Sequence, residues 1–487
     1  MNEDTIFTKL AKICGTKNVS KDPKILIKYS KDLSFFEGYP PLFIVWPSNT
    51  QEVEKILKFA NQEKFSVIPV SSNSNFRLHG DTIPHNNNCG ILDLSKMNKT
   101  ISIDRKNRVV MIEPGVTFAD IIPKLKQEGL RLLLPLHPTG TKSVVCSALE
   151  REPIIIPRYH WDSSDPLLCT ELVFGTGDLF RTGTAAGPGT IKQQKRAGQA
   201  QVNPMGPTQF SPFRLIQGSQ GSLGVVTWAT LKLELSPTIQ KLYHFQSKDI
   251  LELLEFQYEL LKYRLCDELF ILNNLNLACL VKQDPNEIKD LTQHLDKWNL
   301  IYVLSGRGKF AQDRISYLEG DINDVLKEKK LNLSNSGDLI EEQSLLKILN
   351  EATFKSWRLR LRGAYQDLFF LSNFEKISEF IYLVEEQIPS DLGIYIQPIN
   401  QGTSYHCEFD IYYDPHNNSL IDDVKDKFLK ISNQLMDLGA FFNRPYGVWA
   451  KEAYAHQSVE NVNALKKVKK IFDPNNILNP GVLCFDN

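Results

Sequence analysis

The chain has 487 residues, of which 42% are hydrophobic and 23% charged, with a net charge of -1. That length exceeds one hydrophobic core and predicts two or three domains. The near-neutral balance gives no electrostatic case for nucleic acid or an anionic membrane surface. No apolar run approaches the roughly 18 residues of a spanning helix, and the acidic start, Met1–Gly15, is unlike a secretory leader. A cytoplasmic protein is expected. The eight cysteines are scattered without a C-x-x-C pair, which argues for reduced thiols and against an iron–sulfur cluster or structural zinc.

In chain order, residues 1–40 read as a helix followed by a loop. Leu42–Pro47 is a short apolar strand. Ser48-Asn49-Thr50 offers an N-cap to a helix over Gln51–Asn61, with Val53, Ile56, Leu57 and Ala60 on one face. Phe65–Val70 is the next strand, so the chain opens β-α-β. A polar loop follows, Ser71 to Pro84, whose small residues suit either an ordinary turn or the wrapping of a phosphate by backbone and hydroxyl donors. Gly90–Leu94 and Arg108–Gly115 read as strands, and Thr117 caps a helix reaching about Gly129, with Ile121, Ile122 and Leu125 inward. Pro135–Ala148 is a second loop of small residues. Leu172–Phe174 and Leu179–Gly183 form a hairpin through Gly175-Thr176-Gly177-Asp178, and residues 184–212 form a surface loop or lid.

Gln217 to Thr227 is the stretch on which the rest depends. Gly218, Gly221 and Gly224, with Ser219 and Ser222, run into a β-branched strand ending at Leu235. Glycine permits positive φ and close backbone approach, so the loop can aim N–H groups at an anion or ring; a tight turn before a buried strand is the alternative. Past Pro237 glycines thin out and helices alternate with strands such as Leu269–Leu272, Ile301–Leu304 and Ile394–Pro398. Residues 310–350 are charged and helical. The tail combines a strand-to-loop element, Gly439–Trp449, with a helix over Val462–Phe472 that stops at Asp473-Pro474-Asn475-Asn476.

Three segments in this order, Val110–Thr117, Gly218–Thr227 and Phe472–Gly481, resemble the vanillyl-alcohol oxidase / p-cresol methylhydroxylase-type FAD-binding oxidoreductases, nearest the glycolate oxidase and D-lactate dehydrogenase-like branch. The resemblance implies an α+β fold: a two-part FAD-binding domain from residues 1–236, an α+β cap over 237–437, and a C-terminal segment, 438–487, returning to the FAD domain. It implies FAD held by Ser72, Asn73, Ser74, Asn75, Phe76, Gly80, Thr141, Ser143 and Ser147 around the diphosphate, by Gly221, Gly224 and Val226 on the adenine side, and by Asn479 with Arg444 and Tyr446 near the isoalloxazine. Covalent attachment occurs in the family through His, Tyr or Cys, but no residue here marks such a link, so non-covalent FAD is expected. In that branch two histidines and a Glu-His-Gly segment supply a metal. Here Gln397, His406 and Pro445-Tyr446-Gly447 stand in those places, so no catalytic metal is expected, nor a simple 2-hydroxy acid as substrate.

Flavin dehydrogenation needs a substrate C–H at flavin N5 and a group to receive or stabilise the departing proton. The candidates are Tyr446, His406 and Tyr405, with Arg444 as the cation beside the ring. Trp357–Arg362 alternates as a strand would, which places Arg358, Arg360 and Arg362 on one face; they meet a substrate carboxylate, a partner's acidic patch or internal Glu and Asp. His406 lies in an alternating strand and reads equally as structural. The expected activity is dehydrogenation of an alcohol or hydroxyacid larger than lactate, with electrons passed to an iron–sulfur protein, cytochrome or electron-transferring flavoprotein. A membrane association would come only through such a partner, and an oligomer is left open. The alternatives are an aromatic alcohol or alkylphenol oxidase using O2, and a flavin-poor subunit that scaffolds a redox complex.

Overall fold

The computed structural model describes residues 3–72, 77–157, 166–187, 189–197, 201–204, 213–331, 334–335 and 339–485. Among these, three sheets organise the chain. The first contains β1 (Val19–Ser20), β2 (Ile44–Val45), β3 (Ser66–Val70) and β4 (Cys89–Asp93) in the order β1-β2-β4-β3, with β2, β4 and β3 parallel. All five residues of β4 are buried, as suits a parallel strand covered on both faces. Its cover includes the helix Thr50–Glu63, capped by the Asn49 side chain and burying Val53, Ile56, Leu57, Phe59 and Ala60. Against that helix pack Ile6, Leu10 and Cys14 of the helix Glu3–Cys14.

The second sheet is built on one long strand. It comprises β5 (Thr100–Asp104), β6 (Val109–Ile112), β7 (Leu130–Leu132), β8 (Leu167–Phe174), β9 (Leu179–Arg181) and β10 (Gly224–Leu235) in the order β5-β6-β10-β8-β9, with β7 also paired to β10. β10 hydrogen-bonds antiparallel to β6, β7 and β8, so nearly every one of its 12 residues is buried. The helix Phe118–Gln127, closed by a capping box of Thr117 and Asp120, seals this sheet with Phe118, Ile121 and Leu125.

The third sheet runs β14 (Ser334–Asn335), β11 (Ile239–Ser247), β13 (Trp298–Gly306), β12 (Leu269–Asn273), β16 (Leu392–Ile399), β17 (Ser404–Tyr413), β15 (Ala364–Ser372), antiparallel throughout. Alternation along β13 sends Leu300, Tyr302 and Leu304 to one core, with the helices Ile250–Lys262, Ala311–Lys329, Ile377–Gln387 and Asn418–Asp437. Ile301 and Val303 face the other, where Leu133, Leu136 and Ile154–Ile156 from the N-terminal part join them. The cap sheet is therefore packed directly against the rest of the chain.

The C-terminal segment closes on the first sheet. Val67 donates to the carbonyl of Ile477 at 2.7 Å, and the amide of Asn479 donates to the carbonyl of Val67 at 3.0 Å. Lys469, buried in the helix Val459–Phe472, donates to the carbonyls of Ser222 and Leu478 and to Asp473 at 2.6, 2.8 and 2.6 Å. One ammonium thus ties the tail to the glycine-rich loop.

Trp357–Arg362 departs from the expected strand. Trp357–Leu359 is a short 3-10 helix that leads to Gly363 at φ 89°, so the three arginines do not share a face. Arg358 pairs with Glu408 and Asp410, Arg360 donates to the carbonyls of Cys279, Leu280 and Lys282, and Arg362 pairs with Asp391. The enclosed Arg358 and Arg360 found partners in different directions and the exposed Arg362 a third, and the backbone turned accordingly. Gly439–Trp449 likewise forms a loop with one bridge, Phe441 to Leu371, before the helix Trp449–Ala455. Within 184–212 the described residues include a 3-10 turn, Gly183–Ala186, and the helix Ile191–Arg196.

Candidate functional site

A long cavity runs from the first two sheets to the cap. At one end it is walled by Pro69, Val70, Ser71, Ser72, Gly218–Gly221, Gly224, Val225 and Val226. Gly218, Gln220 and Gly221 all adopt positive φ, at 70°, 53° and 70°. A Cβ on Gly221 would lie 2.3 Å from Cγ of Pro69, so side chains are excluded there. The Ser219 and Ser222 hydroxyls donate to the carbonyls of Ile216 and Ser219, and the amides of Gly218, Ser219 and Ser222 are satisfied within the surrounding backbone. Among the described residues the N–H groups of Gln220 and Gly221 have no such acceptor. The loop is therefore built to present backbone, not hydroxyls, to a ligand.

The middle of the cavity is polar. Lys142 bridges Glu150 at 2.8 Å and Glu152 at 3.0 Å, and the Cys146 thiol donates to Glu150 at 3.0 Å. Burial would raise Glu150, but Lys142 more than offsets it and holds the carboxyl at about 2. Asp81, which lacks such a cation, is pushed up to about 6 by burial and by Glu150.

The cap end is aromatic. Trp357, Tyr365, Phe369, Tyr395 and Tyr446 line it together with His79, Asp367, Arg358, Glu408 and Arg444. His79 stacks on Tyr446, ring centroids 4.5 Å apart, and its Nε2 lies 3.2 Å from Asp367. The guanidinium of Arg444 sits 4.3 Å over the Phe369 ring. Arg444 is 6% exposed and its Nε has no hydrogen-bond partner. Among the described residues no carboxylate pairs with it. Burial pushes the Tyr446 phenol well up, which makes it a hydrogen-bond donor and a poor base.

Several residues expected at the site stand elsewhere. Gly221, Gly224, Val226, Ser72, Arg444 and Tyr446 line the cavity; Gly80, Thr141, Ser143, Ser147, Asn479, His406 and Arg360 do not. The Gly80 amide is taken by Asp32 at 2.7 Å. The Ser143 hydroxyl caps the helix Val144–Leu149 and donates to Pro114, while that of Ser147 donates to Glu152. Asn479 clamps the carbonyls of Asp81 and Gln220 at 2.8 and 2.6 Å, and its Oδ1 is left unpartnered. His406 lies one layer behind the wall, 2.9 Å from Glu408 and opposite Gln397 in the sheet. Arg360 caps the carbonyl end of the helix Asn274–Val281. Both differ from the expected catalytic set in placement: neither lines the cavity, Nε2 of His406 is taken by Glu408, and the terminal nitrogens of Arg360 are taken by carbonyls and the Thr353 hydroxyl, with its Nε left unpartnered. Asn73, Ser74, Asn75 and Phe76 lie outside the described residues. His79 and Asp367 were missed: 288 positions separate them, and neither belongs to a recognisable spacing.

A backbone cradle at one end and an unneutralised buried cation at the other define the site of an FAD-linked oxidoreductase. The unpartnered Nε of Arg444, the N–H groups of Gln220 and Gly221 that lack a backbone acceptor among the described residues and the left-handed glycine turn fit a cofactor with acceptor edges and a diphosphate. Residues 41–183 match the FAD binding domain family and residues 409–483 the C-terminal domain of FAD linked oxidases, which makes the chain an FAD-linked oxidoreductase similar to the p-cresol methylhydroxylase type. It is 23% identical to the glycolate oxidase subunit GlcD of Bacillus subtilis over 97% of this chain and 95% of that protein. It is 26% identical to the 4-cresol dehydrogenase [hydroxylating] flavoprotein subunit of Pseudomonas putida over 47% of this chain and 48% of the relative. The fold matches the crystal structure of p-cresol methylhydroxylase with substrate bound, with a TM-score of 0.85, 19% identity and coverage of 99% and 97% of the two chains. Among the described residues no helix is long and apolar enough to cross a membrane.

Proposed function

We propose that the chain dehydrogenates an alcohol or phenol carrying an aromatic ring, with FAD held non-covalently and electrons passed to a separate redox protein. The carrying observation is the aromatic cap end around one buried cation without a carboxylate, Arg444. Flat rings pack against Trp357, Tyr365, Phe369 and Tyr395 in offset or edge-on geometry. Arg444 compensates negative charge that develops on the cofactor edge or on the substrate oxygen. Bound FAD supplies the acceptor for the hydride that leaves the substrate carbon. Gln220 and Gly221 would hold the cofactor by their backbone N–H groups, Ser72 and Lys142 would lie along its diphosphate, and Tyr446 would donate a hydrogen bond to the substrate oxygen.

Arg358 is already matched by Glu408 and Asp410, so it offers no site for a substrate carboxylate. A hydroxyacid with a bulky apolar group is the second reading, favoured because Arg444 can take a carboxylate as well as a phenolate. A protein acceptor is supported by one relative being named a flavoprotein subunit and another a D-lactate dehydrogenase [cytochrome].

The test is the visible spectrum of purified protein before and after acid precipitation, followed by anaerobic bleaching with a panel of 4-hydroxybenzyl alcohols, 4-alkylphenols and D-2-hydroxy acids. Flavin in the supernatant and bleaching by the aromatic members are expected. Colour held in the pellet would overturn the non-covalent assignment, and bleaching by hydroxy acids alone would transfer the assignment to the second reading. A colourless protein that FAD does not reconstitute would leave the scaffold function.

A further inference from the structure

The candidates for the proton acceptor named by the sequence are disposed of by the structure. Tyr446 keeps its proton, as burial raises it well above the ordinary phenol range. His406 stands behind Glu408, and Tyr405 is fully buried with its hydroxyl in the core of the cap. The reaction still requires a base at the aromatic end.

His79 occupies that place. Its ring lines the cavity, stacks on Tyr446 and meets Phe369 edge-on at 5.6 Å. It is fixed from three sides: its own loop, the strand β15 that carries Asp367 and Phe369, and the C-terminal loop, where a Cβ on Gly447 would lie 2.6 Å from the His79 carbonyl oxygen. Nε2 faces both oxygens of Asp367, at 3.3 and 3.2 Å. A carboxylate there holds the proton on Nε2 and leaves Nδ1 as the basic nitrogen. Among the described residues Nδ1 makes no hydrogen bond, and the side chain keeps 24% exposure.

The geometry points to an Asp367–His79 dyad as the general base of the dehydrogenation, with Nδ1 of His79 receiving the substrate hydroxyl proton; this rests on the function proposed above. In the step, the O–H bond breaks and its proton goes to Nδ1. On an alcohol substrate the adjacent C–H bond breaks with its electron pair and the carbon–oxygen double bond forms; bound FAD would supply the acceptor for that hydride. Asp367 is a positioning residue: it sets the tautomer and stabilises the imidazolium that results.

The charges around the ring fix the sign of the pH dependence. Burial lowers the His79 pKa, but Asp367, then Asp81 and Glu150, more than offset it and leave the group raised above 6.5. Tyr446 and Arg444 face it from the C-terminal loop, and Asp32 binds the next amide, that of Gly80. A base must be neutral to act, so the rate should rise with pH through an apparent pKa above 6.5.

The experiment is anaerobic stopped-flow bleaching of the holoenzyme by 4-hydroxybenzyl alcohol from pH 5 to 9, for wild type, His79→Gln and Asp367→Asn. His79→Gln should bleach about 100-fold or more slowly, with the acid limb gone, while flavin content stays unchanged. Asp367→Asn should keep the limb but move it to lower pH, which a merely structural role would not do. This second variant keeps the test open if His79→Gln folds poorly. Bleaching of both variants with the wild-type limb in place overturns the dyad alone. A wild-type flavin that no member of the alcohol, phenol and hydroxy-acid panel bleaches overturns the proposed function, and the dyad with it.

Discussion

The two ends of the cavity use opposite means. The end beside β10 presents backbone: positive-φ residues at Gly218, Gln220 and Gly221, with the serine hydroxyls turned inward to hold the loop. The cap end presents side chains, aromatic rings interleaved with ion pairs. A nucleotide cofactor is the same for every member of such a family, so a backbone cradle suffices. A substrate must be distinguished by shape and charge, which only side chains provide. Within the cap end the contrast sharpens to two arginines. Arg358 is saturated by Glu408 and Asp410, whereas Arg444 touches a ring face and, among the described residues, no carboxylate. One cation holds the sheet together; the other waits for an anion.

That division is broken most forcefully at Arg358. Arg358→Met strands two carboxylates in the interior, Glu408 at 7% and Asp410 at 0% exposure. Removing one partner of a buried network of this kind costs about 3–5 kcal/mol. The melting temperature should fall sharply, and flavin should be lost only because the cap unfolds. A variant that melts like wild type would mean that Arg358 belongs with Arg444 and faces the ligand.

Arg444→Met should do the reverse. No partner is stranded, and a buried cation without a carboxylate is removed, so the melting temperature of the flavin-free protein should hold or rise. Flavin reduction by substrate should slow by about 10²–10³, the usual loss for one preorganised group facing developing negative charge. Rapid-reaction traces and a melting curve on the same sample check both halves.

Legibility followed the same division. The backbone end was readable because its chemistry is local: the Gly218–Gly224 run, the strand to Leu235 and the Asp473–Gly481 tail each announce themselves over ten residues. The α+β class and the return of the tail to the first sheet follow from them. The cap end was not readable. Its alternating Trp357–Arg362 matched a strand on period alone, while the partners that turn it, Glu408, Asp410, Asp391 and the carbonyls of Cys279 and Leu280, lie tens of residues away. Asn479 was placed near the ring, yet it acts by clamping the carbonyls of Asp81 and Gln220. His79 sat in a loop read for its Ser and Asn content, and Asp367 alone marks it as a base.

The cradle itself is tested by Gly221→Ala. At φ 70°, with a Cβ contact of 2.3 Å to Pro69, alanine carries about 1–2 kcal/mol of left-handed backbone strain plus the overlap. Because Pro69 also lines the cavity, the strain should fall on cofactor retention. The ratio of flavin to protein absorbance should drop, and added FAD should restore it only in part. Gly439→Ala is the control: it also has positive φ, at 96°, but nothing within 4 Å of its Cβ, so flavin content should be unaffected.

The smallest effect separates the cap's interior from the cavity. His244 on β11 is 3% exposed, and burial lowers it to about 4, only partly offset by its hydrogen bond to Asn299 at 2.8 Å. A histidine depressed from 6.5 stays neutral in the fold but charges in the unfolded chain. Its contribution is whole above pH 6.5 and is lost as pH falls toward 4. Between pH 6.5 and 5.5 the loss is about 1 kcal/mol. His244→Gln removes that window, so its melting temperature should decline less than that of wild type over this pH range. Flavin content should not change at either pH, because His244 lies in the cap sheet away from the cavity wall. A parallel decline in both proteins would assign the acid sensitivity to the carboxylates of the cavity instead.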